Sequence, residues 1–210
     1  MTQKQKLSAG DFSTWLSQLR HAHMTGGDID VNCGECIGCC TSSYFIHIGP
    51  DEKQTVKRIP TELLFPAPGL PKGHVLMGYD KHGSCPMLVD SKCSIYKDRP
   101  LTCRQYDCRI FAAVGTAAVE KDKAQINEQA ERWEFSYPTN QDRDEHMAVQ
   151  KALAFFQEHK DSFPENIVPT NPSQLALFAV KVYEVFLAGK ESAESMNESP
   201  DYIARAIMAA

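Results

Sequence analysis

The chain has 210 residues, 42% of them hydrophobic and 23% charged, so it can bury a core without disulfide staples. Its formal net charge is −5, which argues against a nucleic-acid binder that relies on phosphate contacts. The amino terminus lacks an apolar signal sequence, and no apolar run approaches the roughly 18 residues that a membrane span needs. We therefore expect a cytoplasmic globular protein that binds neither nucleic acid nor a membrane.

The first predicted element is an amphipathic helix over residues 8–24, closed by Gly26-Gly27. Its apolar residues repeat with the i, i+3, i+4, i+7 spacing of one helix face: Phe12, Trp15, Leu16 and Leu19. This spacing is typical of a helix that packs on a core.

The next elements are short and separated by turns. Residues 43–49 predict a strand, residues 50–60 a short helix, and the proline-rich residues 60–73 a surface loop. The segments "HVLMGYD" and "CPMLVD" predict a β-hairpin whose turn lies in "DKHGS". A cysteine-bearing loop that enters a short helix follows in "CSIYKDRPLTCRQYDC".

The second half of the chain is predominantly helical. Helical patterns cover residues 117–132, 142–160, 172–189 and 199–209. Asn171 is the expected N-cap and Gly189 the expected C-cap of the third helix. Trp133, Phe135 and Tyr137 alternate as in a strand.

These patterns predict an α+β protein, in which an irregular cysteine-ligated unit with a short β-hairpin packs against α-helices. We divide the chain into an N-terminal helix (1–27), a cysteine-cluster metal-binding region (28–112) and a helical C-terminal region (113–210). The three regions can also form one cooperative domain.

The main chemical signal is a group of eight cysteines confined to the first half of the chain. They are Cys33, Cys36, Cys39, Cys40, Cys85, Cys93, Cys103 and Cys108. Disulfides, metal ligation and simple packing are the three interpretations. A reducing compartment favours metal ligation, because disulfides are rare there.

The spacing leaves the metal and the number of centres open. Cys33, Cys36 and Cys39 form C-x2-C-x2-C, as in bacterial ferredoxins, where another ligand precedes a proline as Cys85 does here. A 4Fe–4S cluster on these four cysteines competes with a four-cysteine Zn²⁺ site. A second centre could use the remaining four, or some of these could only pack. Adjacent Cys39 and Cys40 rarely share one ion, so Cys40 is a candidate spare thiol.

The segments "CGECIGCC", "CPML" and "CSIYKDRPLTCRQY" together resemble the CxxCxxCC cysteine-cluster family, the YkgJ-type zinc- or iron-chelating proteins. The matching positions lie between residues 30 and 110, and Cys108 is less firmly part of the pattern. The resemblance implies a metal or iron–sulfur site held by the cysteines. The flagellin lysine-N-methylase has a similar cysteine signature, which suggests a methyl-transfer branch.

Three functions therefore remain open. The first is an iron–sulfur or zinc protein that serves electron transfer or supports a partner enzyme, with a protein or redox partner. The second is an enzyme for redox chemistry or protein lysine methyl transfer that uses the cluster or a spare cysteine. The third is a structural zinc module for protein interaction.

Arg99 and Arg104 either stabilise thiolates or anchor the Arg-Pro turn, and His47 and His82 are secondary candidate ligands.

Overall fold

A computed structural model describes residues 5–29, 31, 33–117, 123–187 and 199–209. Within these residues the α-helices are α1 (Phe12–Thr25), α2 (Lys53–Arg58), α3 (Leu101–Arg104), α4 (Arg109–Val114), α5 (Ala124–Ala130), α6 (Asn140–Glu158), α7 (Pro172–Val182) and α8 (Pro200–Ala209). The strands are β1 (Leu7–Asp11), β2 (Ile46–Ile48), β3 (Leu64–Pro66), β4 (Val75–Met77), β5 (Leu88–Val89), β6 (Lys92–Cys93) and β7 (Trp133–Ser136). The helices and small sheets confirm the α+β class.

The chain forms two compact units. The first unit consists of Met1–Arg20, Cys108–Val119 and Ala130–Ala210. The second unit consists of His21–Asp107 and Glu120–Gln129. Seven of the eight cysteines belong to the second unit, whereas Cys108 belongs to the first.

The first unit is built on helices α4, α6 and α7, which pack against one another. Its core contains the fully buried side chains of Phe12, Phe111, Val149, Phe156 and Val180. The rings of Phe156 and Phe178 stack with their centroids 4.7 Å apart. Burial of these apolar surfaces is the main stabilising contribution to this unit.

N-terminal capping residues set the starts of α6 and α7, the two longest helices after α1 in the chain. At the start of α6, Thr139 and Asp142 form a capping box, in which each side chain accepts a hydrogen bond from the other residue's backbone N–H. At the start of α7, the Asn171 side chain accepts from the N–H groups of Ser173 and Gln174, as predicted. The predicted C-cap Gly189 lies outside the described residues.

The second unit contains a three-stranded antiparallel sheet in the order β2-β4-β3. Its small core comprises Ile48, Ile59, Met77, Met87 and Ile95. The partly buried side chains of Cys85 and Cys93 pack against this core. The hydrophobic contacts of the second unit therefore bring these two thiols to one place.

The predicted hairpin between residues 74–80 and 85–90 is wrong in its pairing. The turn exists, because Gly83 N–H donates to the Asp80 carbonyl over 3.0 Å. However, β4 pairs with β2 and β3, and β5 pairs with β6 instead. The true short hairpin turns at Asp90 and Ser91, which both have positive φ, as a type I′ hairpin turn requires.

Two further predictions need correction. Residues 8–11 belong to β1, which pairs in parallel with β7, so the first helix starts only at Phe12. Part of the predicted loop 60–73 is strand β3, which pairs with β4 and carries Pro66 at its end. Across the described residues, no helix is both long and apolar enough to cross a membrane.

Candidate metal centre

The CxxCxxCC segment folds as two consecutive tight turns. The N–H of Cys36 donates to the Cys33 carbonyl over 3.0 Å, and Gly34 within this turn has a φ of +56°. The N–H of Cys40 donates to the Ile37 carbonyl over 2.9 Å and closes the second turn. Gly34 adopts this left-handed conformation without the penalty that a side chain would bring.

A backbone N–H group also points at one of these sulfurs. Gly38 N–H donates to the Sγ of Cys36, with 3.4 Å between N and S. Such donors stabilise a thiolate and, in metal sites, tune the bound metal. The turn therefore directs a backbone donor at the Cys36 sulfur, an arrangement that favours its thiolate form.

Three further cysteines come from elements that lie later in the chain. Cys93 is in strand β6, Cys103 is in helix α3, and Cys85 precedes the β5-β6 hairpin. The N–H of Cys85 donates to the carbonyl of Cys40 over 2.7 Å. This bond joins the later cysteines to the CxxCxxCC segment.

The charge of the Cys40 thiol affects the pKa of cysteines both in the CxxCxxCC segment and later in the chain. Its side chain is hydrogen bonded to Cys39, which lowers the pKa of Cys40 to about 7 and raises the pKa of Cys39. Burial, and then the charge of Cys40 among other neighbours, raises the pKa of three more thiols: Cys85, Cys93 and Cys103, the last to about 12. Because like charges repel, joint ionisation of these thiols is unfavourable unless a cation lies among them.

Backbone N–H donors partly offset the rise in the pKa of these thiols. The N–H of Met87 donates toward the Cys85 thiol, and that of Ile95 donates toward the Cys93 thiol. Each of these bonds lowers the pKa of its thiol, against the effect of burial. We name the seven cysteines of the second unit the cysteine centre: Cys33, Cys36, Cys39, Cys40, Cys85, Cys93 and Cys103.

Arg99 fulfils both predicted roles. Its charge lowers the pKa of Cys93 and Cys103, against the larger effect of burial. Its Nη1 also donates to the Tyr96 carbonyl over 2.9 Å, and its guanidinium lies 4.1 Å from the centroid of the Tyr96 ring. Arg104 instead forms an ion pair with Asp28.

The two histidines considered as ligands have other partners. The Nε2 of His47 is 2.9 Å from the Nδ1 of His74, and the two rings stack. The backbone N–H of His82 donates to Asp80 in the turn that precedes Cys85. Neither contact involves a cysteine.

Cys108 has a different environment from the other seven. It is buried in the first unit, where its Sγ accepts a hydrogen bond from the indole Nε1–H of Trp133 over 3.2 Å. This contact is typical of a thiol that packs and satisfies a buried donor.

The donor set of the cysteine centre fits a thiophilic metal. Among the described residues, no three His, Cys, Asp or Glu side chains are already positioned around one ion. Nevertheless, backbone N–H groups donate toward the sulfurs of Cys36, Cys85 and Cys93, and the mutual repulsion of the thiolates favours a cation. Soft sulfur ligands select zinc, iron–sulfur clusters or Cu(I).

Sequence reasoning missed the residues that support the CxxCxxCC turn from beyond the cysteines. Gln125 accepts a hydrogen bond from the Thr41 hydroxyl over 2.9 Å, and Lys123 donates to the carbonyl of Ser42. No motif marks these two residues, because Gln125 lies in the polar helix α5 and Lys123 immediately precedes it, far along the chain from the cysteines.

Comparison with known proteins supports metal binding in general. Residues 32–135 match the CxxCxxCC family model, which carries the description "Putative zinc- or iron-chelating domain". No curated protein and no solved structure matches the chain. The match extends past residue 110 and includes Lys123 and Gln125. Over residues 32–135, the chain therefore belongs to the CxxCxxCC family of zinc- or iron-chelating domains.

Proposed function

We propose that the cysteine centre holds an iron–sulfur cluster, and that the protein serves electron transfer or supports a partner enzyme. The observation that carries this proposal is the hydrogen bond from the Cys85 N–H to the Cys40 carbonyl, which brings Cys85 beside the CxxCxxCC segment. Cys33, Cys36 and Cys39 have the C-x2-C-x2-C spacing of bacterial ferredoxins, which favours an iron–sulfur cluster over a single zinc ion.

In this proposal Cys40 is a ligand candidate and not a spare thiol. A spare thiol would be separated from the other cysteines, whereas Cys40 also accepts the Cys85 N–H at its carbonyl. Cys108 is a packing thiol, because its sulfur already accepts the Trp133 indole N–H. The ligands therefore come from the seven cysteines of the second unit.

When bound, an iron–sulfur cluster accepts and releases single electrons. The residues of the chain tune that property: backbone N–H groups donate toward the sulfurs, and Arg99 offsets negative charge near Cys93 and Cys103. Cys33 and Cys39 are exposed, so a redox partner can approach this side of the cysteine centre. We place the protein in the cytoplasm, where thiolates persist.

The test is elemental analysis for iron, zinc and acid-labile sulfide on protein purified without oxygen, together with a visible spectrum. About four irons and four sulfides per chain, with a broad band at roughly 400 nm, would support one 4Fe–4S cluster. Twice that content would indicate two clusters. Colourless protein with zinc alone would contradict the proposal and would favour a structural zinc site.

A further inference from the structure

The segment that supports the CxxCxxCC turn comprises residues 123–126, and we name it the supporting segment. Gly38 lies against its backbone so closely that an added Cβ would be 3.1 Å from the carbonyl carbon of Gln125 and 3.2 Å from the nitrogen of Ile126. Only a residue without a side chain fits there without displacing one of the two backbones. The turn that carries Cys39 and Cys40 is therefore fitted directly onto this segment.

Lys123 is the charged residue of the supporting segment, and it is only 5% exposed. Its Nζ donates to the carbonyl of Ser42 and lies 4.1 Å from the centroid of the Tyr44 ring. Removing an ammonium group from water is costly unless hydrogen bonds and nearby negative potential compensate. A carbonyl and the face of an aromatic ring provide such compensation.

Ser42 connects this lysine to the cysteines. Ser42 is fully buried, and its hydroxyl donates to the carbonyl of Gly38 over 2.5 Å. The intervening residues, Gly38–Thr41, form one turn of 3-10 helix that contains Cys39 and Cys40. Lys123 thus binds the carbonyl end of the turn, where the backbone dipoles leave negative potential.

We propose that Lys123 is a positioning residue of the cysteine centre: its buried ammonium holds the Cys39–Cys40 turn in place through a charge-assisted hydrogen bond to the Ser42 carbonyl. This inference rests on the proposed metal-binding function and extends it to a residue outside the cysteine motif. The ammonium group acts through Ser42 and has no contact with metal in this role.

The experiment measures Co²⁺ affinity, because cobalt bound to thiolates has intense charge-transfer absorption. Reduced, metal-free protein is titrated without oxygen for wild type, Lys123→Gln, Lys123→Arg and the exposed control Lys72→Gln. We expect Lys123→Gln to weaken Co²⁺ binding roughly 10- to 100-fold, the range for residues that support metal ligands. Lys123→Arg keeps the charge and should restore most of the affinity, and Lys72→Gln should match wild type.

Circular dichroism would reveal whether Lys123→Gln misfolds. In that case, a second pair of variants tests the same inference. Tyr44→Phe keeps the ring beneath the ammonium and should bind Co²⁺ as wild type does, whereas Tyr44→Leu removes the ring and should bind more weakly.

Two results would overturn the inference. One is equal Co²⁺ affinity in Lys123→Gln and wild type, or, if Lys123→Gln misfolds, in Tyr44→Leu and wild type. The other is an equal loss of Co²⁺ affinity in Lys123→Arg and Lys123→Gln, because the affinity would then not depend on a positive charge at position 123. Absence of thiolate–cobalt absorption in the wild-type protein would instead contradict metal-ion binding by the cysteine centre, on which this inference rests, whereas iron and sulfide content tests the iron–sulfur proposal separately.

Discussion

The backbone N–H of Cys85 donates to the carbonyl of Cys40, with 2.7 Å between the two atoms. This bond joins the CxxCxxCC segment to the part of the chain that carries Cys93 and Cys103. Burial raises the pKa of Cys85, Cys93 and Cys103, and the charge of the Cys40 thiol raises it further. A cation bound at this junction would relieve repulsion among thiolates from both parts of the chain.

Cys40→Ser should therefore lower the metal content of the purified protein and weaken metal binding by more than about tenfold, since even indirect support of a ligand is worth that much. Metal-to-protein ratio and Co²⁺ titration are the measurements. Cys108→Ser is the matched control and should retain the wild-type ratio. Full metal content in Cys40→Ser would return this thiol to the role of a spare cysteine.

Cys36→Ser should also lose metal and should destabilise the second unit. The sulfur of Cys36 already accepts the Gly38 N–H, and in such sites the free energy of ligation contributes to the free energy of folding. Thermal unfolding of metal-loaded protein, with and without a chelator, checks this. Chelator should lower the wild-type Tm towards that of the variant. An unchanged metal-to-protein ratio in Cys36→Ser would rule this residue out as a ligand.

Cys108→Ala should leave metal binding unchanged but should lower the free energy of unfolding by about 1–3 kcal/mol, because the buried Trp133 indole N–H loses this acceptor. Chemical denaturation followed by tryptophan fluorescence measures the loss. Cys108→Ser, which keeps an acceptor atom, should be less destabilised. A drop in metal content in either variant would show that Cys108 serves the cysteine centre.

Asp142 makes the stability of the first unit depend on pH in the acidic range. Hydrogen bonds from the Thr139 hydroxyl and from the Ser13 N–H hold the pKa of Asp142 at about 2, below an unfolded value of about 3.9. A depressed folded-state pKa contributes stability above pH 4, which is lost as the pH falls from about 4 towards 2.

Asp142→Asn should accordingly lower the free energy of unfolding at pH 7 by about 1–3 kcal/mol, the scale of hydrogen bonds to a charged group. The difference from wild type should shrink between pH 4 and pH 2. Denaturation at both ends of this range tests the prediction, with the exposed Asp144→Asn as control on the same helix. A difference that stays constant with pH would contradict the assignment to Asp142.

Local signals predicted the helical part of the fold well. The helix pattern over 142–160 corresponds to α6 (Asn140–Glu158), and Asn171 caps α7 as expected. Capping residues and 3.6-residue periodicity act within a few residues, so they can be read without knowledge of the tertiary structure. Strand pairing is a long-range choice, which is why the hairpin was assigned to the wrong partner: the turn after Asp80 forms, but β4 pairs with β2 and β3.

The sequence by itself determined the chemistry of this protein: eight thiols, the CxxCxxCC spacing and a downstream Cys-Pro define a site for soft metals. Only the tertiary structure decided which thiols interact. It joined the Cys85 N–H to the Cys40 carbonyl, paired Cys108 with the Trp133 indole, and buried Lys123 beneath the turn that carries Cys39 and Cys40. Spacing along the chain specifies the ligand type, whereas proximity between distant segments depends on how the hydrophobic cores assemble.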